Sequence, residues 1–327
     1  MKIVPENIKN ILILRNDRFG EFLLNIPAFR ALRQTFINAK IIIVVDPSVK
    51  ELAENIPYLD EVIVWGGDIH TMKEKFGLFM RLVKKRVDLA VMLNPSREFN
   101  ILSWLLGIPV RAGYNRKCGF LLTHKIEDKK YLGERHEREY NLELAAAIGA
   151  KTREKELFLE VSDLLLEKVS DAYNLKGDGR LIALHPWTSD TVKEWGVENF
   201  RFLAERLIKE LALTVVLVGG EKERESSRSA FPGFDKNFIN LTGKTSLLES
   251  AAVLKRCILL VSCDSGPVHL ASCVNTPVLA LFRNDLPGKT AKRWGPLSSG
   301  SEVIEKSPLA SLTADEVFLR IRRMLKR

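Results

Sequence analysis

The chain has no apolar run long enough to cross a membrane. Runs such as Ile41–Val45 and Ile258–Val261 fall far short of the roughly 18 residues that a helical span needs. The N-terminus, Met-Lys-Ile-Val-Pro-Glu-Asn, puts a proline and an acid where a signal peptide needs its apolar stretch, so a cytoplasmic location is expected. Cysteine is scarce too. Cys118, Cys257, Cys263 and Cys273 form no Cys-x-x-Cys pair and have no histidine at metal-ligand spacing. Reduced thiols acting as small hydrophobes are expected, and no metal site.

Familiar nucleotide signatures are missing as well. Neither Ile11–Arg15 nor Leu181–His185 is followed by Gly-x-Gly-x-x-Gly, which speaks against a nicotinamide or flavin and leaves no cofactor expected. Gly-Lys-Thr occurs at 243–245 and 288–290, but the earlier glycine of a phosphate-binding P-loop is replaced by Phe238 and Arg283. No Asp-x-Asp occurs, which argues against the metal–diphosphate clamp of one large glycosyltransferase class. The net charge of +9 is spread over both halves, with no arginine-rich arm and no aromatic–basic RNA motif. No nucleic-acid partner is expected; anionic ligands or an anionic membrane surface explain the charge more simply.

What is present is alternation. A chain of 327 residues that is 46% hydrophobic suits two globular domains of about 150 residues each. Short β-rich runs (Ile11–Arg15, Lys40–Val45, Glu61–Trp65, Asp88–Leu93, Val110–Gly113) alternate with helical patterns over 21–35, 48–55, 71–86, 97–106 and 137–149. A second series has strands at Leu181–His185, Leu213–Val218, Asn237–Asn240, Ile258–Val261 and Val278–Phe282, with helices over 198–211, 245–256, 267–274 and 313–326. Runs apolar at every position fit parallel sheets buried on both faces. Between the series, Leu157–Val161 reads as a short strand, 162–173 as a helix, and Lys176-Gly-Asp-Gly-Arg180 as a linker. The fold expected is α/β, two doubly wound Rossmann-like domains at 1–160 and 161–327 facing a central cleft, with the last helix packing back on the first domain.

Residues 261–271, Val-Ser-Cys-Asp-Ser-Gly-Pro-Val-His-Leu-Ala, read as a buried strand running into a helix near Pro267. Proline suits the first helical position and Gly266 the cap before it. Such an N-terminus offers free amides and a partial positive charge to an anion. Asp264, Ser265 and His269 gather there, a chemistry that fits a nucleotide-sugar.

Other polar pieces follow predicted strands in order. They are Arg15-Asn-Asp-Arg-Phe-Gly20-Glu21 with Pro27-Ala-Phe-Arg-Ala-Leu, His136-Glu-Arg-Glu-Tyr-Asn141-Leu, and His185-Pro-Trp-Thr188-Ser189 with Lys193-Glu-Trp195. Gly219-Gly-Glu-Lys-Glu223, Asp264-Ser-Gly-Pro-Val-His269 and Trp294-Gly-Pro296 complete the series. At these residues, over nearly its whole length, the chain resembles the ADP-heptose:lipopolysaccharide heptosyltransferases of glycosyltransferase family 9.

The resemblance implies a GT-B fold, an acceptor held by the N-terminal half and a donor by the C-terminal half. It also implies inverting transfer of heptose from ADP-heptose to the lipopolysaccharide inner core, which needs one base and a place for leaving-group charge. Glu21, in the first turn of a helix, is the candidate base, where the family normally has Asp. Lys193, Thr188, Ser189, Ser265 and Gly266 are candidates for the donor diphosphate, Asp264 for sugar hydroxyls, and Glu223 for the ribose. His269 is either a diphosphate donor or a packed histidine, and Trp187 stands where the family usually has glycine. Arg15, Arg18, Arg97, Arg111 and Arg116 sit near strand ends, where guanidinium groups suit an acceptor rich in carboxylates and phosphates. Within 71–86, an apolar side (Met72, Phe76, Phe79, Met80, Val83) backed by lysines and arginines suits a core-facing helix or peripheral contact with an anionic inner membrane. A same-family transferase for another sugar, a nucleotide-sugar epimerase on the same fold, and a sugar-nucleotide-binding protein without turnover are the alternatives.

Overall fold

The computed structural model of the chain describes residues 3–66, 71–175, 180–234 and 236–326. It divides into two compact units, the first ending at Glu156 and the second beginning at Leu157. The turn-rich 176–179 lies outside the described residues.

The first unit runs β1 (Asn10–Leu14), α1 (Phe19–Leu23), α2 (Ile26–Thr35), β2 (Lys40–Val45), α3 (Lys50–Glu54), β3 (Glu61–Val64) and α4 (Met72–Val83). It continues through β4 (Leu89–Met92), α5 (Arg97–Leu105), β5 (Val110–Tyr114), β6 (His124–Ile126) and α6 (Glu137–Ala147). All pairs in its sheet are parallel, in the order β3-β2-β1-β4-β5-β6. Ile11 to Leu14 are fully buried, as burial of both sheet faces requires. The helix expected over 21–35 is two helices. Pro27 enters at the start of α2, and the Asn25 side chain donates to the Glu21 carbonyl (2.6 Å) across the break.

The second unit carries α7 (Asp163–Ala172), β7 (Leu181–His185), α8 (Val197–Leu211), β8 (Thr214–Leu217), α9 (Arg224–Ala230), β9 (Phe238–Asn240) and α10 (Leu247–Arg256). Then come β10 (Leu259–Cys263), α11 (Gly266–Cys273), β11 (Val278–Phe282), α12 (Ala291–Trp294), β12 (Glu302–Glu305) and α13 (Ala314–Met324). Its parallel sheet has the order β12-β11-β10-β7-β8-β9, the same winding as the first. In each, the chain reverses direction of travel beside its first strand, at β1/β4 and β7/β10. Ligands of doubly wound sheets bind at the carboxyl ends of such a switch point.

Several elements differ from expectation. The short edge strands β6 and β12 and the helices α9 and α12 have no counterpart in the sequence pattern. Leu157–Val161 is irregular rather than a strand; its Leu159 amide donates to the Cys273 carbonyl (3.1 Å). The C-terminal helix α13 packs on α8 of its own unit, where buried Phe318 lies under the Arg206 guanidinium at 3.9 Å. No helix among the described residues is long and apolar enough to cross a membrane.

Candidate active site

Polar groups gather at the switch point of each sheet. In the second unit, β7 ends in His185 and β10 in Ser262 and Cys263, neighbours in register. Asp264 follows directly. Its Oδ2 lies 2.5 Å from the Lys193 ammonium, and both side chains are largely covered. Burial pushes the Asp264 carboxyl above the ordinary range, against the pull of Lys193. Lys193 is held there by its neighbour two residues on. Trp195 is 1% exposed, packs edge-on against Phe200 and donates its indole N–H to the Leu312 carbonyl (2.7 Å). The spacing Lys-x-Trp therefore anchors a loop in the core and leaves the ammonium at the strand ends.

The helix starts one residue earlier than expected, so Ser265 rather than Gly266 occupies the N-cap, with Pro267 in the first turn. The Ser265 side chain does not cap. It meets Ser262 Oγ at 2.8 Å and His185 Nδ1 at 3.1 Å, while Ser262 also donates to the Cys263 carbonyl (2.9 Å). Pro267 has no amide and the Val268 amide bonds Ser265 O (3.2 Å), leaving the Gly266 amide as the open donor of that turn. His185 is buried with no charged partner to repay its desolvation, which lowers its pKa to about 4, and it stays neutral.

The other candidates are distributed around this turn. Thr188 closes a local turn, its hydroxyl donating to the Asp190 carbonyl (2.6 Å) and its amide to Glu194 Oε1 (3.1 Å). Ser189 is exposed beside it. Trp187 is buried edge-on to His185, and its indole N–H donates to Ser226 Oγ (3.3 Å). A Cβ on Gly219 would fall 3.0 Å from that indole, so the first glycine of Gly-Gly makes room for the tryptophan. Glu221 pairs with Arg224 (3.0 Å), whereas the Glu223 carboxylate folds over Gly220, where a Cβ would stand 3.0 Å away. That separates the two acids: Glu221 is a surface pair and Glu223 the one drawn inward. His269 is buried near Trp294, with ring centres 6.3 Å apart.

In the first unit, Glu21 lies in the opening turn of α1, partly buried. Burial raises its carboxyl first and the Asp17 charge next, opposed by a backbone hydrogen bond and by Arg15 and Arg18. Arg15 is turned into the unit. It is 2% exposed, donates to the Leu93 carbonyl (2.8 Å) across the β1/β4 switch point, and meets Asp17 Oδ1 at 2.7 Å. Arg111 bonds the carbonyls of Leu121 (2.8 Å) and Ile108, so it staples its own loop. Arg116 pairs with Asp128 at 3.0 Å, Arg97 opens α5 exposed, and Arg18 precedes α1. Among the described residues no three His, Cys, Asp or Glu are grouped to hold a metal ion.

Sequence reasoning assigns no role to Asp17, His185 or Ser262, nor to the buried Lys130–Glu137 pair (2.5 Å) with Asn141. A polar residue ending an apolar strand is the available signal for His185.

Comparison with known proteins agrees with this arrangement. The model of glycosyltransferase family 9 (heptosyltransferase) matches residues 76–314. Lipopolysaccharide heptosyltransferase 2 of Escherichia coli is 25% identical over 310 residues, covering 90% of this chain and 87% of its own. Lipooligosaccharide heptosyltransferase 2 of Haemophilus influenzae is 24% identical over 318 residues, covering 90% and 88%. The solved ADP-heptose lps heptosyltransferase II of E. coli superposes with a TM-score of 0.84 at 23% identity, over 97% of this chain and 98% of that one. The fold together with these likenesses makes the chain a GT-B glycosyltransferase. Within that class, the chain belongs to glycosyltransferase family 9, the heptosyltransferases.

The buried neutral His185 makes acid stability testable. Its folded pKa lies below the unfolded value of 6.5, so its contribution is complete above about pH 6.5 and is lost as pH falls toward 4. The loss amounts to about 3 kcal/mol. His185→Gln should flatten the pH dependence of urea unfolding across that window. An unchanged slope would show that the imidazole is not buried neutral.

Proposed function

We propose that this chain transfers heptose from ADP-heptose to the lipopolysaccharide inner core by direct, inverting displacement. The observation that carries the reading is the phosphate-ready turn at β7/β10. There Lys193 pairs with Asp264, and the Ser265 hydroxyl and the Gly266 amide follow that carboxylate in the chain. The second unit would hold the donor and the first the acceptor. Relatives named as heptosyltransferases of lipopolysaccharide support the sugar and the acceptor, and the likeness to the solved E. coli ADP-heptose lps heptosyltransferase II supports ADP as the nucleotide.

In the reaction, an acceptor hydroxyl oxygen bonds to the anomeric carbon while the bond from that carbon to the diphosphate oxygen breaks. Glu21 takes the hydroxyl proton. Its raised carboxyl is the better base for being partly desolvated. Charge arriving on the diphosphate meets the Lys193 ammonium and the Gly266 amide, both held in place before the reaction starts. Asp264 suits sugar hydroxyls and Glu223 the ribose. Thr188 and Ser189 line the loop before Lys193, and His269 supports the helix behind the turn.

A cytoplasmic protein acting on a lipid-linked acceptor meets a membrane, and α4 is shaped for one. Leu78 and Leu82 are buried, while Met72 (80% exposed), Phe76 (64%) and Met80 (42%) face outward among exposed Lys73, Arg81 and Lys84. Apolar side chains flanked by basic ones suit the headgroup region of an anionic inner-membrane leaflet.

Two measurements test the reading. Glu21→Gln should lose roughly 100-fold or more of turnover yet keep the thermal shift given by ADP. That shift corresponds to about 2.7 kcal/mol at 100 times the dissociation constant. Retained turnover would remove Glu21 as the base, a wild-type chain without turnover would leave a binding protein, and equal shifts from UDP and GDP would remove the ADP assignment. For the membrane face, the protein should sediment with vesicles containing phosphatidylglycerol and be released by salt, and Phe76→Ser with Lys73→Glu should weaken this. Failure of the wild type to sediment would sink peripheral contact.

A further inference from the structure

The first unit holds a second carboxylate that the reaction above does not use. Asp17 stands four residues before Glu21, in the short loop between β1 and α1. It is tied to a fixed cation, since Arg15 is buried, bound to the Leu93 carbonyl at 2.8 Å, and 2.7 Å from Asp17 Oδ1. The far end of α1 is held as firmly. Asn25 donates to the carbonyls of Glu21 (2.6 Å) and Phe22 (3.2 Å). Asn141 donates to the Leu24 carbonyl (3.3 Å) and accepts from the Lys130 ammonium (3.1 Å). That ammonium pairs with Glu137 at 2.5 Å and lies 4.5 Å from the centre of the Tyr114 ring. The one-turn helix bearing Glu21 is thus clamped at its exit by amides and at its entry by the Arg15–Asp17 pair.

We propose that Asp17, anchored on Arg15, is a positioning residue for Glu21, fixing the entry to α1 and placing a negative charge that strengthens Glu21 as a proton acceptor. The proposal rests on Glu21 being the base. A loop that needed only a helix cap would not bury an arginine to hold an aspartate, and Asp17 makes no cap: Arg18 occupies that position, and its side chain makes no capping bond. The charges facing the two carboxylates are few. Asp17 is met by Arg15, Lys130 and Glu137, and Glu21 by Asp17, Arg15 and Arg18. Of these neighbours of Glu21, Asp17 alone is negative, and its like charge opposes ionisation of Glu21.

Removing that charge makes Glu21 easier to ionise, and the acid limb of the rate profile moves down in pH. The test is the pH profile of kcat/KM for ADP release from ADP-heptose with the inner-core acceptor, using the full chain. Asp17→Asn should move the acid limb to lower pH and lower the plateau, while Asp17→Glu should restore the limb. The thermal shift with ADP confirms that each variant is folded, and Asp17→Ser replaces an amide variant that does not fold. An acid limb that stays in place while the rate falls at every pH overturns the proposal in favour of a purely structural Asp17, as does unfolding of both neutral variants. Glu21→Gln separates the failures. If it turns over like the wild type, the base assignment is wrong; if it is inactive while the Asp17→Asn limb stays put, only the present inference falls.

Discussion

The ion pair between Lys193 and Asp264 is the interaction on which the strand-end cluster of the second unit turns. Either charge alone, as covered as it is here, would cost several kcal/mol, and together they tolerate the apolar edge of the second sheet. The pair need not add stability to matter. It joins the loop after β7 to the turn between β10 and α11, and so fixes an ammonium at that turn before any ligand arrives. Trp195 holds the same loop from below and the Ser262–Ser265–His185 chain holds the turn from the side. Preorganisation of this kind is how a site favours charge that develops in a transition state.

The two units share a winding and differ in chemistry. At β7/β10 the buried histidine is neutral and one cation faces one carboxylate. At β1/β4 one carboxylate of the β1–α1 loop, Asp17, and one of the first turn of α1, Glu21, meet the charge of a buried arginine, with a lysine–glutamate pair behind them. Parallel sheets buried on both faces allow polar groups to collect only at strand ends, so winding decides where each cluster sits. Which charges collect there is then free to vary. One cluster suits an anion, and the other suits removal of a proton.

Much of this was legible in the chain. Runs such as Ile41–Val45 have one structural use, and the Asp264-Ser-Gly-Pro stretch announces a strand meeting a helix. What escaped has physical reasons. β6 (His-Lys-Ile) and β12 (Glu-Val-Ile-Glu) are short edge strands with polar residues, so they lack the continuous apolar run that marks the inner strands. The break in 21–35 depends on Asn25 reaching back to the Glu21 carbonyl, a bond that periodicity does not encode. Arg111 and Arg15 sit near strand ends as read from the chain, but their partners, backbone carbonyls and Asp17, are set by the fold and are not encoded in local pattern. Serine before a helix reads as a cap, and only the geometry shows the Ser265 hydroxyl turned toward His185.

Trp187 shows how such a site absorbs a departure from its family's pattern. An indole where glycine is usual adds a large side chain two residues after β7, beside the turn between β10 and α11. Here it packs against Gly219, with its N–H satisfied by Ser226. The space it fills exists because Gly219 has no side chain, and the edge of His185 packs on its ring. The tryptophan therefore thickens the floor under the histidine that contacts Ser265. A residue that reads as an intrusion from the sequence becomes part of the wall that keeps His185 dry and neutral.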